Sequence, residues 1–301
     1  MNNKQKAYLQ MHIAVFLFGF TAILGKLITL QEIALVWNRL WIAVLGLIFI
    51  PGAIRGIMQI PPKRILVFAG IGVLVALHWI TFYGSIKIGN SASITLACFA
   101  TTALFTSILE PLITKSKFKW IELLLGLLII FGIYLLSGVG EFYYKAIAVG
   151  LISAFLAALF SVLNKKYIIG YNSISISAIE LLSGFLFISL MFPFLTTLMP
   201  QEQWIPSSVD WIWILCLGLL CTSFAYVLAL NSLKELSAFV ASLSINLEPV
   251  YGILLAILLL NESQDLNRSF YMGTAIILLA VLLYPLISRY QKQRKKNKEM
   301  A

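Results

Sequence analysis

Residues 238–260 read AFVASLSINLEPVYGILLAILLL. A helix needs about 20 mostly apolar residues to cross a hydrocarbon core, and this run has that length. Yet Glu248 and Pro249 stand at its centre. A carboxylate is costly at that depth, and proline removes a backbone donor and breaks the helix that should carry the segment. The pair therefore marks a functional position inside a membrane span, or a structural glutamate neutralised by a hydrogen bond beside a packing kink.

Working outward, the same kind of block recurs along the 301 residues. Apolar stretches cover Tyr8–Ile28, Ile33–Ile54, Ile65–Tyr83, Ala92–Ile113, Trp120–Leu136, Ala146–Leu163, Ile174–Leu198, Val209–Leu230, Ala238–Leu260 and Phe270–Ile287. Apolar residues make up 60% of the chain and charged ones 11%, against roughly 45–50% and 25% in an ordinary globular protein. So few charges do not cover a water-facing surface. Alternation over about ten residues, the mark of barrel strands, is absent. The expectation is an all-α polytopic membrane protein of ten transmembrane helices. The first block exceeds the roughly 7–15 apolar residues of a cleavable signal and lacks a small-x-small site after it, so it reads as a span.

The net charge of +10 is distributed by side. With a cytoplasmic N-terminus, one side carries Lys4, Lys6, Arg55, Lys63, Arg64, Lys115, Lys165, Lys166, Lys234 and the tail QKQRKKNK at 291–298. The other side holds Lys87, Lys145 and Arg268 among acids such as Glu32, Asp210 and Glu262. This bias predicts that both termini are cytoplasmic, and it assigns the basic tail to lipid headgroups rather than nucleic acid. Cys98, Cys216 and Cys221 lie in predicted spans without a C-x-x-C pair, and the only histidines are His12 and His78. No metal site, disulfide or cofactor is expected.

The chain also repeats itself. A shift of 146 places Ser91–Ala92 on Ser237–Ala238 and Phe105 on Tyr251, and a shift of 147 places Gly126 on Gly273. Near the start of each half, a shift of 140 places Phe20 on Phe160 and Lys26 on Lys166. Five spans per half force opposite orientations, which defines an inverted repeat. The halves are expected over 8–138 and 145–288, with a basic tail at 289–301. Under this alignment Thr102 is the partner of Glu248, and the second LEP, Leu109–Pro111, is a coincidence of spelling.

Several polar or aromatic residues in spans are candidates for a solute or proton pathway. Glu248 with Pro249 comes first, with Asn246 and Ser244 beside it. Arg39 in VWNRLW and Glu180 in AIELLS stand 141 positions apart, at pseudo-equivalent places with opposite charge; each is a gate, an anion contact or a packing charge. In HWITFY, His78 could relay a proton, and Trp79 and Tyr83 share a helix face that could stack on a planar solute. The bland alternatives are a hydrogen-bonded structural histidine and interfacial belt aromatics. Thr102, in a threonine-rich fourth span, is either path lining or a packing hydroxyl.

Ten spans in two inverted halves, cytoplasmic termini, a mid-span proline in the ninth helix and the acid soon after it in LLLNES (Leu258–Ser263) resemble the drug/metabolite transporter superfamily, specifically EamA-type transporters. Ala103 and Ser116 depart from the pattern in the first half, standing opposite Pro249 and Glu262. The resemblance implies a central cavity lined by helices one, three, four, six, eight and nine, with Gly19, Phe20, Asn164, Phe224 and Tyr226 as further lining candidates. It implies a secondary carrier for a small-molecule solute such as an amino acid, nucleobase or drug-like compound, in the inner membrane of a bacterium, with the proton as candidate coupling ion. The rivals are an intramembrane enzyme and a non-transporting receptor. The chain has no nucleotide-binding loop, G-x-S-x-G or H-E-x-x-H, and its only aspartates, Asp210 and Asp265, are expected in external loops.

Overall fold

The fold is known from a computed structural model. It describes residues 3–115, 143–198, 203–236, 247–262 and 268–280, and also 124, 128, 131, 132, 135, 244, 283, 286 and 287. Asn246, the basic tail and most of the fifth predicted span lie outside the described residues. Helices account for the regular structure, and no strand occurs among the described residues.

Helix α1 (Asn3–Leu27) leads through a short turn to α2 (Glu32–Ile48). The block predicted to run to Ile54 stops early, because Pro51 and Gly52 make a turn in which Gly52 has φ +89°. A short α3 (Ala53–Met58) follows, and then α4 (Pro62–Gly89), which opens with Pro62 in its first turn, where the missing N–H has no partner to lose. It ends at Asn90 in the left-handed region, a common stop for helices. Ser91 then caps α5 (Ala92–Thr114) by accepting from the Ile94 N–H at 3.3 Å. Beyond come α6 (Tyr144–Tyr167), α7 (Ser173–Leu198), α8 (Ser208–Glu235), α9 (Glu248–Leu260) and α10 (Arg268–Ala280). Six of these helices, α1 and α4 to α8, contain stretches long and apolar enough to cross a membrane, and α9 and α10 are shorter apolar helices. The chain is therefore built as a polytopic membrane protein.

Helix α4 packs against α6 and α7, α1 against α8 and α9, α2 against α7 and α8, and α5 against α6 and α9. The ends of α1 and α4 and the starts of α2, α5, α6 and α8 gather on one side, called here the Lys26 face. The opposite ends form the Lys165 face. Small residues set the crossings. At Gly72 of α4 an added Cβ would run into the Glu180 carbonyl and the Ser183 hydroxyl of α7. Ser183 uses this closeness to donate to Ala69 O at 3.0 Å.

Among the described residues, three helices depart from regular geometry. In α5, Ala100 and Thr101 form a turn, with the Thr101 N–H on Cys98 O at 3.0 Å and the Phe105 N–H on Thr101 O at 3.2 Å. Ahead of α9 the Leu247 N–H bonds Ser244 O at 3.0 Å and the Tyr251 N–H bonds Leu247 O at 2.9 Å. Donors and acceptors of the two breaks are related one by one by the shift of 146 seen in the sequence. Pro249 thus sits in the first turn of a new helical segment that begins at Glu248. The third departure is a π-helical stretch at Cys216–Phe224 inside α8.

The α4–α7 crossing gives a direct test. Gly72→Ala should lower the melting temperature of the detergent-solubilised protein by several degrees, since overpacking costs about 1–3 kcal/mol. Gly70→Ala, whose Cβ meets nothing within 4 Å, should leave it unchanged.

Candidate functional site

The central cavity encloses about 830 Å³ of empty space, part of it open to solvent, and its walls come from α1, α2, α4, α5, α6, α8 and α9. Phe18 and Thr21 line it from α1, and Phe99 and Thr102 from α5. Toward the Lys26 face the lining stops at Thr21, Phe82 and Phe99. Toward the Lys165 face it continues to Asn164 and Leu233, within a turn of the ends of α6 and α8. The cavity is directed toward that second face.

Arg39 reaches the cavity from α2 and is only 2% exposed. Its guanidinium lies 3.7 Å over the Trp79 ring. Nη1 donates to the Tyr83 hydroxyl at 2.7 Å and Nε to the Thr222 hydroxyl at 2.6 Å. The π stretch positions that acceptor: Thr222 Oγ1 itself donates to Leu217 O, five residues back, at 2.6 Å. Helix distortions of this type concentrate at functional sites because they re-aim a side chain without ending the helix. Gly218 lets α8 approach, since a Cβ there would come within 2.6 Å of Ile42 Cγ2. Gly25 likewise leaves room for the Tyr83 ring. Trp79 and Tyr83 are therefore buried parts of an arginine cradle and not interfacial belt residues.

Glu248 lines the same cavity from the first turn of α9 and is 6% exposed. It stands at the helix N-terminus, where the backbone dipole presents its positive end. Among the described residues, no carboxylate pairs with Arg39 and no donor reaches Glu248; the two interact only through their fields. Thr102, the repeat partner of Glu248, also lines the cavity, with its hydroxyl returned to Phe99 O at 2.6 Å.

His78 is buried in an aromatic nest, stacked on Phe99 with 5.5 Å between ring centroids and flanked by Phe82 and Phe160. Its Nδ1 lies 3.0 Å from Ser153 O. The Ser153 hydroxyl lies 2.9 Å from the same nitrogen and also donates to His78 O at 3.1 Å, so the tautomer sets which of the two Nδ1 contacts the ring donates to. Glu180 lies just behind the wall, where Oε2 accepts from the Tyr226 hydroxyl and from Asn164 Nδ2. The structure brings Arg39, His78, Trp79, Thr102 and Glu248 to one cavity, with Tyr83 and Glu180 one layer out. It does not bring Arg39 and Glu180 into contact. Of the other candidates, Asn164 and Tyr226 line the cavity. Gly19 serves the α1–α9 crossing, with a Cβ position 3.2 Å from Tyr251 Cβ. Phe20 packs on Phe16, and Phe224 is 50% exposed.

The Lys26 face carries a set of contacts that sequence reading did not assemble. Glu262, just beyond α9, pairs with Lys26 Nζ at 2.9 Å and accepts from the Ser91 hydroxyl and the Ala92 and Ser93 N–H groups at 2.8–2.9 Å. One carboxylate thus ties the ends of α1 and α9 to the start of α5. Asp210 of α8 accepts from the Thr29 N–H at 2.9 Å, and Lys87 of α4 donates to Ile28 O. Across the protein, Glu110 pairs with Lys165 near the Lys165 face, where both side chains are partly exposed.

Burial pushes the Glu262 carboxyl up, but hydrogen bonds from Ser93, Ala92 and Lys26 outweigh it and hold the group below its usual range. A lowered carboxyl contributes stability above its unfolded-state pKa and loses it as pH falls through the folded value. Glu262→Gln should therefore lower the melting temperature at neutral pH. The gap to wild type should close in acid below the usual glutamate range, about pH 4.3. A gap that stays constant through that range would mean that the charge is not its source.

Comparison with known proteins places this geometry in context. The model of the EamA-like transporter family matches residues 5–138 and again 144–285. An uncharacterized transporter of Clostridium kluyveri is 27% identical over 216 residues, which is 69% of this chain; the chain spans 66% of that relative's length. A solved protein crystal structure shares the fold with a TM-score of 0.67 at 16% identity, over 95% of this chain and 99% of that one.

Proposed function

We propose that this chain, which belongs to the EamA-like transporter family, is a secondary transporter that moves a small metabolite across a bacterial inner membrane by alternating access. The observation that carries the reading is the cavity itself: a cation, Arg39, and an acid, Glu248, face one aromatic-walled space without neutralising each other through direct contact. Charges are retained at membrane depth where solutes or ions use them. An anionic group fits the Arg39 cradle, a cationic group fits Glu248, and an apolar body fits among Phe18, Phe82, Phe99 and Phe160. Among small metabolites, amino acids carry both charges beside an apolar group, and they are the first class to test.

The topology proposed with this function has ten spans in two inverted halves, 8–138 and 145–288, and cytoplasmic termini. The matching breaks at Thr101 and Leu247 and the two separate stretches matched by the family model support it. In that orientation the Lys26 face is external and latched by Glu262, and the cavity is directed to the cytoplasm. Alternating access then requires Lys26, Glu262 and the start of α5 to part. Glu248 serves as a proton site coupled to the solute, and Asn246, next to the break, belongs to the same proposed pathway.

The test is a thermal-shift screen of metabolites on purified protein, followed by flux of each hit into proteoliposomes. Arg39→Lys should weaken binding of anionic hits, because an ammonium lacks the planar fork and stacking face of guanidinium. Glu248→Gln should abolish the pH dependence of flux. If no hit crosses sealed vesicles, the transporter reading fails; unchanged pH dependence in Glu248→Gln removes the proton role alone.

A further inference from the structure

Glu180 is a fully buried acid outside the cavity lining, and its surroundings form a pattern. Its Oε2 accepts from Tyr226 and from Asn164 at 3.2 Å. Its Oε1 and the Asn164 Oδ1 have no hydrogen-bond partner among the described residues. The Ser173 and Ser177 hydroxyls, both buried, are in the same condition. On α7, residues 173, 177 and 180 follow the i, i+4, i+7 spacing of a single helix face. Ser173 opens the helix at the Lys165 face, so these three residues mark one helix face from the helix end to Glu180. The other serines of α7 are occupied: Ser175 donates to Ala53 O at 2.9 Å, Ser183 to Ala69 O at 3.0 Å and Ser189 to Phe185 O at 2.8 Å.

That face ends against the cavity. Asn164 and Tyr226 line it on one side and hold Glu180 on the other. Tyr226, from α8, is the titratable group facing Glu180; α6 contributes the neutral Asn164, and α4 the backbone around Gly72. Arg39 and Glu248 lie beyond them in the cavity.

We propose that Glu180 is a second proton-binding site of the transporter, separate from Glu248, loaded from the Lys165 face along Ser173 and Ser177. The inference rests on the transporter reading above. One proton from water bonds to Oε1, and the carboxylate becomes a neutral carboxyl. An ionised Oε2 holds the Tyr226 hydroxyl and the Asn164 amide strongly, since charge-assisted hydrogen bonds are about twice as strong as neutral ones. Neutralisation loosens both groups and turns their polar atoms toward the solute. Proton occupancy behind the wall is thereby read as polarity within the cavity.

The experiment is infrared difference spectroscopy between acidic and alkaline buffer on the full chain in phosphatidylethanolamine–phosphatidylglycerol liposomes. The protonated-carboxyl band of wild type should lose one component in Glu180→Gln and a different one in Glu248→Gln. The Glu180 component should shift in Tyr226→Phe. In Ser177→Ala it should keep its amplitude but appear more slowly after a pH jump. A band unchanged in Glu180→Gln overturns the proposal. If that variant does not fold, an unshifted band in Tyr226→Phe overturns it instead. The readout needs no solute flux, so failure of transport and failure of the proton site are separate results.

Discussion

Inside a bilayer a backbone amide or carbonyl without a partner has no water to turn to, and this constraint shapes the whole molecule. It makes every described crossing helical, and it makes each interruption informative. The three interruptions are at Thr101, at Leu247 and over Cys216–Phe224, and all three helices line the same cavity. Each is repaired locally: by an i→i+3 bond in the first two, and by Thr222 and Ser223 hydroxyls reaching Leu217 O and Gly218 O in the third.

Arg39 shows the same economy for charge. Its guanidinium is held by an indole face and two hydroxyls, partners that orient a cation without cancelling it. A bidentate carboxylate would have fixed it more firmly but left nothing for a ligand. The cradle draws on α4 for Trp79 and Tyr83 and on α8 for Thr222, so the position of the charge depends on how those helices sit against α2.

Much of this was legible in the sequence, and the remainder was hidden for definable reasons. Block length and hydropathy gave the helical membrane class, and Glu248–Pro249 announced the break ahead of α9. The matching break in α5 carries no such marker, because Ala103 stands opposite Pro249 and the turn is made with Thr101 and Thr102 hydroxyls that would suit a straight helix equally well. The π stretch is hidden because shifting bonds from i−4 to i−5 needs no special residue. Trp79 and Tyr83 were ambiguous between belt and pocket, since aromatic side chains serve both places and only the third dimension supplied Arg39 between them. Glu262 stood out as an acid after a span, but its partners Lys26 and Ser91 are 236 and 171 positions away. Separation of that size leaves no trace in local pattern.

Under the proposed alternating access, the Glu262 contacts have an energetic consequence for any solute. A closed face held by one ion pair and three further hydrogen bonds to the same carboxylate weights the population toward that form before anything binds. A ligand that fits both forms equally well shifts nothing, however tightly it is held. Turnover in that proposed cycle would select for compounds that bind better once Lys26 and Glu262 have separated, and tight binders of the form in which they are paired would act as inhibitors.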